Sequence, residues 1–235
     1  MEDLLRDIYF DPEHPASYGG KTKLKHVVKN QKHIDQFSQS EPSYTLHKPV
    51  RKKYLSAKTI SHGVDQIWQL DLCVMENIQS YNDNYKYILF VLDVYSRFLF
   101  LEPIKSKHSQ NTAEAFIKIV KQYNRLPGYL HTDAGTEFKS HFAKLVNQLN
   151  IGHYVTGTIN KASLVERAQR TIKERLYRYF THKNTYRYID VLPLFQKAYN
   201  NSIHRMTGAK PIDINHENKP KTSVKTNQES KIESW

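Results

Sequence analysis

Between residues 67 and 104 the chain carries three apolar runs, Ile67 to Val74, Tyr85 to Val94 and Phe98 to Ile104. A polar turn, Asn82-Asp83-Asn84, separates the first two, and Tyr95-Ser96-Arg97 joins the second to the third. Runs of this length, rich in Val, Ile, Tyr and Phe and punctuated by turn residues, predict a three-strand antiparallel meander. In the first run Trp68, Leu70, Leu72 and Val74 alternate with Ile67, Gln69, Asp71 and Cys73. Asp71 therefore sits inside a strand, where Asp is disfavoured, and such a residue needs a reason. Binding a metal ion is one. Asp93 is a rival acid, but it lies at the hairpin end and reads as a turn residue.

The pattern then changes period. Ala115, Phe116, Ile119 and Val120 recur at helical spacing over Thr112 to Tyr123, with Asn111 or Thr112 as candidate cap. Leu126-Pro127-Gly128 ends that helix, and Tyr129 to Thr132 reads as a fourth strand closing on Asp133. Phe142, Leu145, Val146 and Leu149 mark a further helix, His153 to Thr156 a fifth strand, and Ile189 to Ile203 a last helical stretch. The order is three antiparallel strands, helix, strand, helix, strand, helices. It predicts an α/β fold with a five-stranded mixed sheet flanked by helices.

The helix after the fifth strand carries Glu166 in its first turn. At about 100° per residue, Glu166, Gln169, Arg170, Lys173 and Tyr177 fall within roughly 100° of arc. Leu164, Val165, Ala168, Ile172, Leu176 and Tyr179 fall on the other side, which Arg175 breaks. An acid followed along one face by an amide and two cations suits a phosphate chain lying on the helix. A solvated face with a Glu–Arg pair four residues apart would look the same. An acid at a strand end and another at a helix start can meet across a sheet, and divalent cations are the usual counter-charge for carboxylates held close together.

Net charge is +12 and the isoelectric point about 9.5, an excess that attracts a polyanion, nucleic acid first among them. The single cysteine, Cys73, excludes an internal disulfide and suits a reducing compartment. No apolar run reaches the roughly 18 residues of a membrane span, and the first residues, with Glu2 and Asp3, have no signal-peptide pattern. Residues 1–58 read as a small helical unit. Leu4, Leu5, Ile8 and Tyr9 form its first apolar set, Leu24, Val27 and Val28 the second, and Ile34 and Phe37 the third. It could hold DNA as a helix-turn-helix-like module, or be a packing appendage with solvated lysines. A zinc site of two His and two Cys is impossible there for want of Cys. The basic segment Leu46 to Lys53, with Arg51, Lys52 and Lys53, reads as an exposed linker and phosphate contact. Residues 59–215 form the expected core, and 216–235 a polar tail with a disordered composition.

Asp71, Asp133 and Glu166 are spaced by 62 and 33 residues. In this order and setting the chain resembles a DDE-type integrase with a ribonuclease-H-like core, as found in retroviruses and retrotransposons. More narrowly it resembles the integrases of Maverick/Polinton self-synthesising DNA transposons and their viral relatives. The residues behind the narrower likeness are the Leu46 to Lys53 segment, Trp68-Gln69-Leu70-Asp71-Leu72 and Asp93-Val94-Tyr95-Ser96-Arg97-Phe98. Asn160-Lys161-Ala162, Val165-Glu166-Arg167 and Arg170-Thr171-Ile172-Lys173 complete the set. The likeness covers roughly Asp65 to Ile214. The chain departs from the family's pattern at Ala134-Gly135, where Asn-Gly is usual, and at Ala168 and Gln169, where an aromatic residue and Asn are common. No zinc-finger domain, chromodomain or SH3-like tail is recognisable.

The resemblance implies that Asp71, Asp133 and Glu166 form a catalytic, metal-binding triad for two Mg²⁺ or Mn²⁺ ions. It implies that Gln169, Arg170 and Lys173 touch the transposon or viral DNA end, with Lys161 beside them. His204, Thr207, Gly208 and Pro211 echo the family's segment after the last helix. The implied activity is trimming of DNA 3′ ends and their joining to target DNA, by a homo-oligomer assembled on element ends and target. The implied location is the nucleus, or a virion or viral factory for a virus-encoded copy. Two other readings stay open: a ribonuclease-H-like nuclease, which cleaves without joining, and a catalytically retired transposon-derived DNA-binding protein.

Overall fold

The structure, a computed structural model, describes residues 2–47, 59–155 and 163–218. Four helices come first: α1 (Glu2–Phe10), α2 (Lys21–Lys25), α3 (Gln31–Ser40) and the single turn α4 (Pro42–Thr45). Then follow β1 (Ile67–Val74), β2 (Tyr87–Asp93), β3 (Leu99–Ile104), α5 (Ser109–Tyr123), β4 (Tyr129–Thr132), α6 (Ser140–Gln148), β5 (Gly152–Val155), α7 (Ser163–Lys183) and α8 (Leu192–Asn200). The proposed boundary near residue 58 and the tail beyond residue 218 lie outside the described residues.

The strands form one sheet in the order β3-β2-β1-β4-β5. The expected meander is present, with β1 antiparallel to β2 and β2 antiparallel to β3. The other two strands join in parallel, β4 on β1 and β5 on β4. Each parallel strand is reached by a helical crossover, α5 before β4 and α6 before β5, as parallel pairing requires. This is the five-stranded mixed sheet flanked by helices that the sequence predicts.

Alternation along β1 and β2 divides the interior in two. Trp68, Leu70, Leu89 and Val91 face α5 and α6, packing with Phe116, Ile119, Phe142 and Val146. Cys73, Ile88, Phe90 and Leu92 face α7 and α8, packing with Val165, Ile172, Leu176 and Phe195. The N-terminal helices share this second core: Leu5, Tyr9, Leu24, Ile34 and Phe37 are fully or almost fully buried in it. Tyr9, Tyr18 and Phe37 meet ring to ring, and Tyr18 reaches Tyr179 and Phe195.

Two devices hold the sheet's margins. The edge strand β3 would present bare N–H and C=O groups, a template for unwanted pairing. Helix α8 covers it. The Asn200 side chain accepts from the Leu99 N–H and donates to the Leu99 carbonyl, and Gln196 Oε1 accepts from the Leu101 N–H at 2.8 Å. At the other end of the meander Asp93, fully buried, holds the β2–β3 turn. It accepts from the Tyr95 N–H and the Ser96 hydroxyl and pairs with Arg125, which also grips Asp65. Asp93 is thus a turn residue, as its position in the sequence suggests.

Helix α5 begins three residues earlier than its apolar period indicates. His108 is the cap, with no side-chain cap bond, and Thr112 instead donates its hydroxyl to the His108 carbonyl. The capping role expected of Asn111 or Thr112 is therefore corrected. The polar first turn Ser109-Gln110-Asn111 leaves no apolar mark in the sequence.

Candidate active site

Asp71 lies on the α7-facing side of β1, opposite Phe90 of β2. On the other flank Gln69 is in register with His131 of β4, and Asp133 follows two residues on. Asp71 and Asp133 are thus carried to the same level by two adjacent parallel strands. Asp71 is partly buried and accepts the Leu72 N–H at 2.8 Å on one oxygen. Asp133 is exposed and accepts the Gly135 N–H at 3.1 Å, closing a local turn. Each keeps an oxygen for another partner.

Glu166 stands in the first turn of α7. What fixes that turn is a residue the sequence reading passed over. Gln69, fully buried two positions before Asp71 on the same face of β1, directs its side-chain oxygen at the backbone N–H groups of Leu164 and Val165, 3.1 Å from each. These belong to the second and third residues of the helix, donors that an N-cap side chain ordinarily satisfies. The Gln69 amide nitrogen meets His131 Nδ1 at 3.2 Å and Thr59 Oγ1 at 3.1 Å. One side chain therefore ties β1, β4 and α7 together directly below the acids.

Asp71 responds to its burial and to the acids around it. Burial raises the Asp71 carboxyl to about 6, the Leu72 amide pulls it down, and the charges of Asp133, Glu166 and Glu137 raise it again. The sum is a site short of positive charge. Among the described residues no three acids, histidines or cysteines stand close enough together to hold a metal ion. The chemistry of the three side chains, rather than their spacing, suits a hard divalent cation. They are all oxygen donors and acidic, and the Asp71 charge, opposed first by burial and then by its neighbours' charges, is one that a cation would favour.

Glu137 is the second residue the sequence reading missed as a site member. It follows Asp133 by four residues, and its carboxylate lies over Gly135, where a Cβ would meet it at 2.6 Å. Replacing Glu137 by Gln is expected to lower the Asp71 pKa by less than about one unit, since its charge acts on Asp71 more weakly than those of Asp133 and Glu166. Carboxyl carbon NMR titration of Asp71 reads this directly.

Along α7, Gln169 and Lys173 continue from Glu166 on the same face, close enough to the Cys73 thiol of β1 to influence its ionisation. Lys173 also lies 6.0 Å from the Tyr177 ring centre. Arg170, at the outer margin of that face, is exposed. The arc drawn from the sequence is thus present, running away from the acids over β1. Lys161, Arg51, Lys52 and Lys53 lie outside the described residues. No described helix is long and apolar enough to cross a membrane.

The five-stranded mixed sheet flanked by helices matches the ribonuclease-H-like integrase catalytic core fold. Residues 61–161 match the Integrase core domain family, a stretch that holds Asp71 and Asp133 and stops short of Glu166. An uncharacterized transposon-derived protein of Caenorhabditis elegans is 37% identical over 141 residues, 60% of this chain and 49% of the relative. The chain therefore spans about half the length of that relative. Among solved structures, a simian T-cell lymphotropic virus intasome in complex with PP2A regulatory subunit B56 gamma superposes with a TM-score of 0.61. It is 17% identical, over 87% of this chain and 73% of that one. The HTLV-2 integrase catalytic core domain in complex with magnesium, in its trimeric form, gives 0.52 at 22% identity, over 66% of this chain and 98% of that one. The BIV integrase catalytic core domain gives 0.50 at 22% identity, over 63% and 91%.

Proposed function

We propose that this chain is an integrase or transposase of the DDE type, a polynucleotidyl transferase that trims DNA 3′ ends and joins them to target DNA. The observation that carries this reading is the Asp71 carboxyl, lifted to about 6 by burial and by the facing charges of Asp133, Glu166 and Glu137. A half-buried acid inside a strand, its carboxyl raised by burial first and by the charges of three neighbouring acids after it, is poorly explained as packing. The fold likeness and the transposon-derived relative point the same way. The likeness to Maverick/Polinton integrases narrows the reading further. A nuclear location, or a viral factory for a viral copy, goes with it, as does assembly of several copies on DNA.

Asp71, Asp133 and Glu166 would hold two Mg²⁺ or Mn²⁺ ions, which when bound activate the attacking oxygen and stabilise the leaving one. The chain's own part is positional. Gln69 fixes the pitch of Glu166 against β1, and the parallel register of β1 and β4 levels Asp71 with Asp133. Gln169, Arg170 and Lys173 would receive the backbone phosphates of a strand laid along α7. No side-chain nucleophile is required, because water serves in trimming and the freed 3′-hydroxyl in joining.

The test is an oligonucleotide assay with candidate element ends, a labelled 3′ terminus, a target plasmid and Mg²⁺ or Mn²⁺. Joined products are expected. Cleavage without joining would mean a nuclease on this fold, and salt-sensitive binding without turnover a DNA-binding protein that has lost the chemistry.

A further inference from the structure

The face of α7 turned away from Glu166 borders a cleft of about 520 Å³. At about 100° per residue, Arg167, Ala168, Thr171 and Arg175 lie roughly 100–200° around the helix from Glu166, so this cleft is separate from the candidate active site. Its other walls come from α2, from the turn after β2 and from the segment after α8. Six basic side chains line it, Lys23, Arg97, Arg167, Arg175, His204 and Arg205, with His26 at one side. Among the described residues no Asp or Glu lines it.

Two of these cations are buried with guanidinium nitrogens left unpaired, although Asp93 lies near enough to Arg97 to favour its charge. Arg175 is 2% exposed and Arg97 9% exposed. In both, Nε and Nη1 find no acceptor among the described residues. Among the described residues the Arg175 side chain makes one hydrogen bond, a long one to the Pro15 carbonyl at 3.4 Å. A buried guanidinium ordinarily faces a carboxylate, because an unpaired buried charge is strongly destabilising. The rest of the ring behaves as a crowd of like charges. Burial pushes Lys23 down to about 8 with Arg175 adding to it, and pushes His204 down to about 4 with Arg97, Lys23 and Arg167 adding to it. His204 Nδ1 accepts the Met206 N–H at 3.3 Å, so its other nitrogen carries the proton and is a donor. The polar inventory of the cleft is thus dominated by N–H donors from four separate segments.

We propose that this cleft is a binding site for a phosphate-bearing ligand, with Arg97, Arg175, Lys23 and Arg167 as its anion receptors. Donors converging from four directions outnumber what the two oxygens of a carboxylate can accept, whereas phosphate and pyrophosphate groups offer more oxygens and more charge. The walls between the cations are apolar, formed by Leu92, Leu164, Ala168 and Met206. They suit an organic group attached to the phosphate, and the volume falls in the range of small-molecule sites. Such a ligand would bridge α2 and α7 and lock the N-terminal helices onto the core.

The experiment uses the full chain in EDTA, so that no divalent ion can recruit phosphates to the acids. Pyrophosphate, inorganic phosphate, ATP, adenosine and a short DNA duplex are titrated by calorimetry, with thermal melting alongside. Saturable binding and a rise in melting temperature are expected with phosphate-bearing probes and not with adenosine. Lys23→Gln and the exposed Arg167→Gln should each weaken binding about tenfold, whereas Lys23→Arg and the remote Lys144→Gln should leave it unchanged. Binding of pyrophosphate or ATP would identify a free phosphate ligand. Binding of the duplex alone, weakened by the same variants, would identify a nucleic-acid phosphate. Absence of metal-free binding by every probe, or binding indifferent to Lys23→Gln and Arg167→Gln with circular dichroism unchanged, would overturn the proposal.

Discussion

Asp71→Asn is expected to abolish DNA joining while making the metal-free protein more stable at neutral pH. Asn keeps the size of the side chain and the acceptor for the Leu72 N–H. It removes one of four carboxylates that oppose one another. The sign follows from linkage. The folded pKa, about 6, lies above the usual carboxylate value near 4, so the folded state binds the proton more tightly than the unfolded chain. Asp71 therefore detracts nothing below about pH 4, and its penalty grows as pH rises to about 6 and persists above. A shift of this size corresponds to about 3 kcal/mol, and partial exposure reduces it to about 1–3 kcal/mol. Urea unfolding should show the two proteins alike at pH 4 and the variant ahead at pH 7.5. Added Mg²⁺ should stabilise the wild type and not the variant. Asp133→Asn and Glu166→Gln should likewise abolish joining. Retention of joining by any of the three, with DNA binding intact in each, would remove the triad from the reaction.

Gln69→Leu is the second large effect. The substitution keeps bulk and removes every hydrogen bond of a fully buried amide. Leu164 and Val165 lose the acceptor for their N–H groups, and Val165 is itself fully buried. Unsatisfied buried donors cost about 1–3 kcal/mol each, so a loss of about 2–4 kcal/mol in urea unfolding is expected. Amide exchange at the start of α7 should accelerate selectively. Joining should fall, and more Mg²⁺ should be needed to restore it, because Glu166 loses its fixed position while all three acids remain. If exchange at residues 164 and 165 is unaltered, Gln69 does not govern the helix terminus.

Much of this was legible in the residues. The limits of β1 and β4 follow from period and punctuation alone, and Asp71 stood out because an acid inside a strand contradicts local preference. The helical arc of Glu166, Gln169, Arg170 and Lys173 needed only arithmetic. What escaped were long-range contacts. Gln69 reads as one more polar residue on an alternating strand, and its partners are 95 and 96 positions away. Glu137 was hidden because its approach depends on a turn folding back over Gly135. Arg175 was noticed as a break in an apolar face, but Arg97 and His204, which give the break its meaning, come from distant segments.

The apolar surface of α7 is completed from both ends of the chain. Leu5, Tyr9, Leu24, Ile34 and Phe37 insert beside side chains that belong to the catalytic fold. A fragment trimmed to begin at residue 59, just ahead of the family match, would expose a broad greasy flank to water. Such a truncation should clump or dimerise through that flank, and workers preparing a minimal core would do better to keep the first 47 residues attached.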